Sequence, residues 1–158
     1  MCIFLTHSIC LMYGIQLLWL GNNEIGDAGL TALADAIKPT ADNTSGALYN
    51  LESLNFYSNQ IGDAGLSAFV TAITPGPSGK GALASLKQLD LAVNRIGDPG
   101  FNALAEAIKP REKEALPSAA FINLDHNRNA TEAGKKAMLE ASALVQAKSR
   151  PRFCVDVR

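Results

Sequence analysis

The sequence predicts an α/β protein, a right-handed β-α solenoid of about four units stacked side by side. Three observations predict this fold: an asparagine that recurs at near-constant spacing, apolar residues at alternate positions before it, and an amphipathic pattern of helical period after it. One such unit cannot bury its own apolar face, so neighbouring units must stack. We expect parallel strands on the concave face and helices on the convex face, joined by right-handed crossovers.

The recurring asparagines are Asn23, Asn59, Asn94 and Asn127, at spacings of 36, 35 and 33 residues. Apolar residues precede each one by eight, five and three positions. The last two are separated by one residue, so a short strand points both to the same side. We expect the asparagine amide to bond backbone groups that the following bend leaves unpaired, which is a structural role. The apolar positions are Ile15, Leu18, Leu20; Leu51, Leu54, Phe56; Leu86, Leu89, Leu91; and Ala119, Ile122, Leu124.

A helix is predicted after each of the first three asparagines. Ile-Gly-Asp-x-Gly occupies 25–29, 61–65 and 96–100, and apolar residues at i, i+3, i+4 and i+7 follow it. The aspartates are expected to be N-caps, Pro99 to be the first helical residue, and the glycines to allow a tight turn from strand to helix. Prolines at 39, 75 and 110 mark the expected helix ends.

The fourth unit departs from the pattern, as a terminal capping unit should. Thr131 replaces the aspartate and is predicted to cap a helix that runs to about Lys148. Val155 and Val157 then have the spacing of inward residues in a fifth strand. We divide the chain into 1–14, an apolar leader or remnant of a preceding repeat; 15–147, the repeat domain with units starting near 15, 51, 86 and 119; and 148–158, a C-terminal tail or partial fifth strand.

The leader belongs to an uncharged stretch, residues 2–20, which leaves two other interpretations open. A signal peptide would need a basic segment near its start, and none is present. A membrane anchor would contain Thr6, His7 and Gly14, which are unfavourable in so short a span. We favour the end of a preceding repeat, because Ile15, Leu18 and Leu20 already belong to the repeat pattern.

The combined pattern is Leu-x-x-Leu-x-Leu-x-x-Asn-x-Ile-Gly-Asp-x-Gly-Leu-x-Ala-Leu-Ala-x-Ala-Ile. Over residues 15–147 it resembles leucine-rich repeats of the ribonuclease-inhibitor-like subclass, which occur in NOD-like receptors and Ran GTPase-activating proteins. The resemblance implies a cytoplasmic scaffold that binds a protein partner, since this family shares a fold and not a reaction. A regulatory protein that stimulates a small GTPase is the alternative, although no active-site signature of that activity can be placed on the chain.

Other classes of function find little support in the composition. The 14 basic and 15 acidic residues give a net charge of −1, which provides no drive towards nucleic acid or anionic lipid. The three cysteines are Cys2, Cys10 and Cys154, and they form no Cys-x-x-Cys pair.

No phosphate-binding loop, nucleophile elbow or zinc-protease motif occurs. Asp90, Asp125 and His126 could be drawn as a metal or base site, but a hydrogen-bonded surface histidine is favoured. We therefore predict no catalysis, cofactor or metal.

The candidate binding surface is the concave face, formed by the residues six, four and two positions before each asparagine. Their side chains point away from the helices because directions alternate along a strand. Aromatic side chains among hydrogen-bonding groups suit a protein interface, and the two aspartates predict a neutral or basic partner. The alternative is that Leu17 and Trp19 merely cover the N-terminal edge. The predicted contact residues are Trp19, Asn55, Tyr57, Asp90, Phe121, Asn123 and Asp125, with Asp156 if a fifth strand forms.

Overall fold

The computed structural model describes residues 14–40, 46–75, 82–110, 115–148 and 150–158. In these ranges four helices alternate with five three-residue strands. The leader is outside the described residues except for Gly14, and Cys2 and Cys10 are outside with it. The elements are β1 (Leu17–Trp19), α1 (Asp27–Ile37), β2 (Ser53–Asn55), α2 (Asp63–Ile73), β3 (Gln88–Asp90), α3 (Asp98–Ile108), β4 (Phe121–Asn123), α4 (Glu132–Lys148) and β5 (Cys154–Asp156).

The five strands form one parallel sheet in chain order, and the predicted α/β fold of stacked strand–helix units is confirmed. The middle residues of the strands are register partners, and their side chains face the helices. From β2 onward these middle residues are buried, whereas Leu18, the middle residue of β1, is half-buried. The helices pack side by side on the same face of the sheet, so the core is one layer between sheet and helices. The middle residues are Leu18, Leu54, Leu89, Ile122 and Val155.

Three of the four recurring asparagines, Asn59, Asn94 and Asn127, bond backbone groups of two neighbouring units. The Asn94 side-chain amide donates to the carbonyls of Leu91, in its own unit, and Phe56, in the preceding unit, both at 3.0 Å. Its Oδ1 accepts the Ile61 N–H at 3.0 Å. Asn59 and Asn127 repeat this arrangement. Each interior asparagine therefore fastens its unit to the unit before it.

The expectation that each aspartate caps its own helix is wrong. The N-cap residues are Gly26, Gly62 and Gly97, and none has a side-chain cap bond. Each aspartate is instead the first helical residue, and its carboxylate faces the next unit. Asp27 Oδ1 accepts the N–H groups of Gly62 at 2.7 Å and Gly65 at 3.0 Å. Asp63 does the same for Gly97 and Gly100, and Asp98 for Thr131. Each carboxylate thus supplies the cap of the following helix.

From the second unit onward, the second glycine of the motif is needed for this close approach, and the first glycine adopts a backbone conformation open to any residue. Gly62 has a φ of −110°, which any residue adopts. A Cβ atom at Gly65, by contrast, would lie 2.6 Å from Asp27 Oδ1. Pro99 is likewise the second helical residue and not the first, because Asp98 precedes it in α3. The carboxylate contact between units accounts for the second glycine of the motif.

The C-terminal unit closes as the sequence predicts. Thr131 Oγ1 accepts the Ala133 N–H at 3.2 Å, and α4 extends to Lys148. Arg150 Nη1 donates to the carbonyls of Leu116 at 2.8 Å and Ala119 at 2.9 Å. Its guanidinium also lies 4.9 Å from the Phe153 ring centroid. These contacts hold β5 against the fourth unit. None of the described helices is long and apolar enough to cross a bilayer.

Candidate interaction surface

The strand register brings the predicted contact residues onto one face. Trp19, Asn55, Asp90, Asn123 and Asp156 are successive register partners across the five strands. Phe121 begins β4, and Tyr57 and Asp125 follow β2 and β4 by two residues. Trp19 is 77% exposed and Tyr57 40%, whereas the polar members are half-buried. The concave face therefore presents two aromatic side chains beside a row of amides and carboxylates.

The polar residues of the central row also stabilise the strand ends. Asn55 Oδ1 accepts the Tyr57 N–H at 2.9 Å, and Asp90 Oδ1 accepts the Ala92 N–H at 3.0 Å. Asn123 Oδ1 accepts the Asp125 N–H at 3.1 Å. Asn and Asp side chains commonly bond the backbone two residues on, and this signal could have been found in the sequence. One oxygen of each side chain is consequently committed to the fold.

An apolar patch occupies the N-terminal end of the concave face. It consists of Leu17, Trp19 and Tyr57, of which Leu17 is 74% exposed. Gly21 lies beside the patch. A Cβ atom there would come 2.8 Å from Asn55 Oδ1 and 3.0 Å from Trp19 Nε1. The indole can therefore lie close to the end of β1 only because residue 21 has no side chain.

His126 is held by the carboxylate of the preceding residue. Its Nδ1 lies 2.8 Å from Asp125 Oδ2, and its backbone N–H donates to Asp125 Oδ1 at 2.8 Å. The side chain is 64% exposed. In the described ranges, no three His, Cys, Asp or Glu side chains come together as metal ligands would. The arrangement is a local hydrogen-bonded pair on the surface.

A feature missed by the sequence reasoning lies at the rim of the sheet, where each strand leads into its helix. The residue after each asparagine there is Glu24, Gln60, Arg95 or Arg128. The last two line a cleft of ≈ 380 Å³. We call it the cationic cleft. Its lining residues are Asn59, Val93, Asn94, Arg95, His126, Arg128 and Asn129.

Comparison with known families identifies the repeat. The leucine-rich-repeat family profile matches residues 16–34, 50–70 and 82–105. The chain carries leucine-rich repeats. One matched segment falls on each of the three regular units, and the departing fourth unit is outside them. The comparison with curated proteins gives no match.

The leucine-rich repeats contain one more recurring position that the sequence reasoning missed. Leu48, Leu83 and Leu116 lie eleven residues before successive asparagines and are buried. Their φ angles are 58°, 59° and 50°, in the left-handed region. Each carbonyl accepts the N–H of the residue three positions on, which starts the next unit. The recurrence of an Ala-Leu pair before β2, β3 and β4 was the available signal, although leucine rarely adopts this conformation.

Proposed function

We propose that the chain is a non-catalytic protein-interaction module that binds a protein partner on its concave face. Leucine-rich repeats typically bind proteins and generally serve as scaffolds without catalytic activity. The single observation that carries the proposal is the exposure of Trp19 in β1 and of Tyr57, two residues after the adjacent strand β2, on one face of the sheet. Trp and Tyr are enriched among residues that dominate binding energy. A surface held by backbone and amide bonds also needs little ordering on association.

The charges of the concave face support the same proposal. Asp90 and Asp125 lie beside amides and aromatic rings, and a net charge of −1 gives no attraction to nucleic acid. Each strand contributes one residue per row, so side chains 33–36 residues apart in sequence become neighbours about 4.8 Å apart. Such a surface suits a folded partner or an extended peptide better than a small molecule.

Substitution on the two faces tests the proposal. Full-length protein and the Trp19→Ala and Tyr57→Ala variants would be used to capture partners from the source cell. Affinities would then be measured by calorimetry with the purified partner. Each substitution should weaken binding by about 1–3 kcal/mol and leave the melting temperature nearly unchanged, because both side chains are exposed.

Asp35→Ala and Glu106→Ala provide the control, since both side chains are exposed on the helices. Their affinities should equal that of the parent protein. If the helix variants abolish binding and the concave variants do not, the contact surface is on the convex side and the proposal is wrong.

Two finer points belong to the same proposal. The ribonuclease-inhibitor-like subclass is supported by the convex segments, because α1, α2 and α3 are each α-helices of 11 residues. A cytoplasmic location follows from the same resemblance. Stimulation of a small GTPase remains the alternative function, and the resemblance is its entire basis.

A further inference from the structure

We propose that the cationic cleft receives the carboxylates of an acidic segment in the bound protein, between Arg95 and Arg128. This inference rests on the proposed function and adds the chemistry of the partner. It changes the expectation that the two aspartates of the concave face select a neutral or basic partner. The reason is that the Asp90 and Asp125 carboxylates already accept hydrogen bonds from the protein, whereas the N–H donors of the two guanidinium groups are available to a partner.

The strand register places the two arginines on neighbouring loops. Each is five residues beyond a residue of the central row, Asp90 for Arg95 and Asn123 for Arg128, and these two are register partners. The Asn129 side-chain amide donates to the Arg95 carbonyl at 2.8 Å and ties the loops together. Adjacent strands are about 4.8 Å apart. Two guanidinium groups anchored at that separation can bind one or two carboxylates together.

Near the cleft, the acidic side chains have partners within the protein, whereas the two arginines have no ion-pair partner among the described residues. Within the described parts of the chain, neither Arg95 nor Arg128 forms an ion pair, and both residues are exposed. The nearby Asp125 carboxylate is held by His126 at 2.8 Å, and Asp90 Oδ1 accepts a backbone N–H. Arginine presents a planar fork of donors that matches a carboxylate. The cleft therefore favours an acidic side chain over a basic one.

The occupant is limited by what the other units carry at the same position. Glu24 and Gln60 replace the arginines in the first two units, so the positive charge is confined to the C-terminal half of the rim. The apolar patch with Trp19 and Tyr57 lies at the other end. Along the sheet, Trp19 in β1 is two strand spacings from the unit of Arg95 and three from that of Arg128, about 10–14 Å. An extended peptide spans that distance with about three or four residues, so the expected motif is an apolar residue followed by an acidic pair.

The probe is a hexapeptide that is acetylated at its N-terminus and amidated at its C-terminus. Leucine occupies its first position, glycine and serine fill the next three, and glutamate occupies the last two. It would be titrated into the full-length ¹⁵N-labelled chain, and backbone amide shifts would be recorded. We expect saturable shifts at Val93, Arg95, His126 and Arg128. Arg95→Gln and Arg128→Gln should each weaken binding about 5- to 20-fold.

Arg152→Gln is the matched control, because it removes an equal charge from an exposed arginine outside the cleft lining. It should bind the peptide like the parent protein. A peptide with glutamine in place of both glutamates should produce no saturable shifts at the cleft. Thermal melts of the three arginine variants confirm that the fold is intact.

Several results would overturn the inference. The first is that the glutamine peptide binds as tightly as the glutamate peptide. The second is that Arg152→Gln weakens binding as much as the cleft variants do. The third is that millimolar inorganic phosphate displaces the peptide, or that a single-stranded oligonucleotide does so at a lower concentration than the peptide needs for binding. The proposed function fails separately. A captured partner that depends on Trp19 but not on Arg95 would contradict the acidic segment alone. A peptide that binds the cleft while Trp19→Ala and Tyr57→Ala leave partner capture unchanged would contradict the concave-face proposal alone.

Discussion

The first unit and the interior units have nearly the same sequence and very different environments. Leu54 and Phe56 of the second unit are buried, whereas Leu18 and Leu20 at the equivalent positions are half-buried. Asn59 bonds the backbone of two units, whereas Asn23 bonds the carbonyls of Leu20 and Gly21 within its own unit. The motif therefore supplies the apolar side chains and the asparagine amide. They stabilise the fold where the preceding unit buries them and accepts their cross-unit bonds.

The largest difference between the two regions should come from removing an apolar side chain. Leu91→Ala should cost about 2–5 kcal/mol of unfolding free energy, because Leu91 is 0% exposed and the change leaves a cavity between stacked units. Leu20→Ala changes the equivalent position in the half-buried first unit and should cost less than half as much. Urea melts measure both values. Equal losses would show that the first unit is as well packed as the third.

The asparagines should show the next largest difference. Asn94→Ala should cost about 1–3 kcal/mol, because the Phe56 and Leu91 carbonyls and the Ile61 N–H lose their partner away from water. Asn23→Ala is the matched change, and it should be close to neutral because Asn23 is exposed. Thermal melts of both variants distinguish the cases. A neutral Asn94→Ala would contradict the structural role assigned to this position.

Glycine substitution separates the regions in a different way. Gly65→Ala should cost about 1–2 kcal/mol, because the new methyl group would displace the Asp27 carboxylate. At Gly29 the new Cβ would lie 3.1 Å from Ile25 Cγ2, a tight contact with a half-buried side chain that can move by a few tenths of an ångström, and alanine is the better helix former. Gly29→Ala should therefore be neutral or stabilising by up to about 1 kcal/mol. Calorimetric melting temperatures that fall equally in both variants would argue against the carboxylate contact.

The smallest expected effect concerns pH. The Thr131 hydroxyl and backbone N–H donate to Asp98, and these bonds lower the pKa of its carboxyl below the ordinary value of 3.8. Because the folded pKa is lowered, the stabilisation is complete well above pH 3.8 and is lost as the pH falls through the folded value. Asp98→Asn should therefore be less stable than the parent at pH 6, and the difference should shrink below pH 4.

Chemical melts at a series of pH values measure this difference. Thr131→Val removes the hydroxyl, which is the largest cause of the lowered pKa, and should reduce the pH-dependent part of the difference. A gap between Asp98→Asn and the parent protein that is constant from pH 6 to pH 3 would contradict the contact.

The fold followed from the sequence because its signals repeat. Three copies of one pattern placed the first three strands and the first three helices, and the departing fourth copy still kept Ile122 and Leu124 in their places. The aspartates were misassigned for a physical reason. A residue at a helix start can cap its own helix or face a neighbour, and the choice depends on a contact with a residue 35 positions away.

The proposed contact surface was predictable only in part. Strand alternation and register bring Trp19, Asn55 and Asp90 to one face. The cationic cleft gave no repeated signal, because its position carries a different residue in the first three units and only the last two are basic. Repetition in a sequence indicates what the fold needs, and the proposed binding depends on surface positions that vary from unit to unit.

Contacts between units run in both directions along the chain. Asn94 reaches back to the second unit, and Asp63 reaches forward to the third, so an interior boundary uses one contact of each kind. If the 35 residues 59–93 were duplicated in tandem, each new junction would reproduce a junction that already exists. Gene duplication can therefore lengthen this protein in whole repeats without inventing a new interface. The concave face gains one strand, and a new set of variable positions, with every copy.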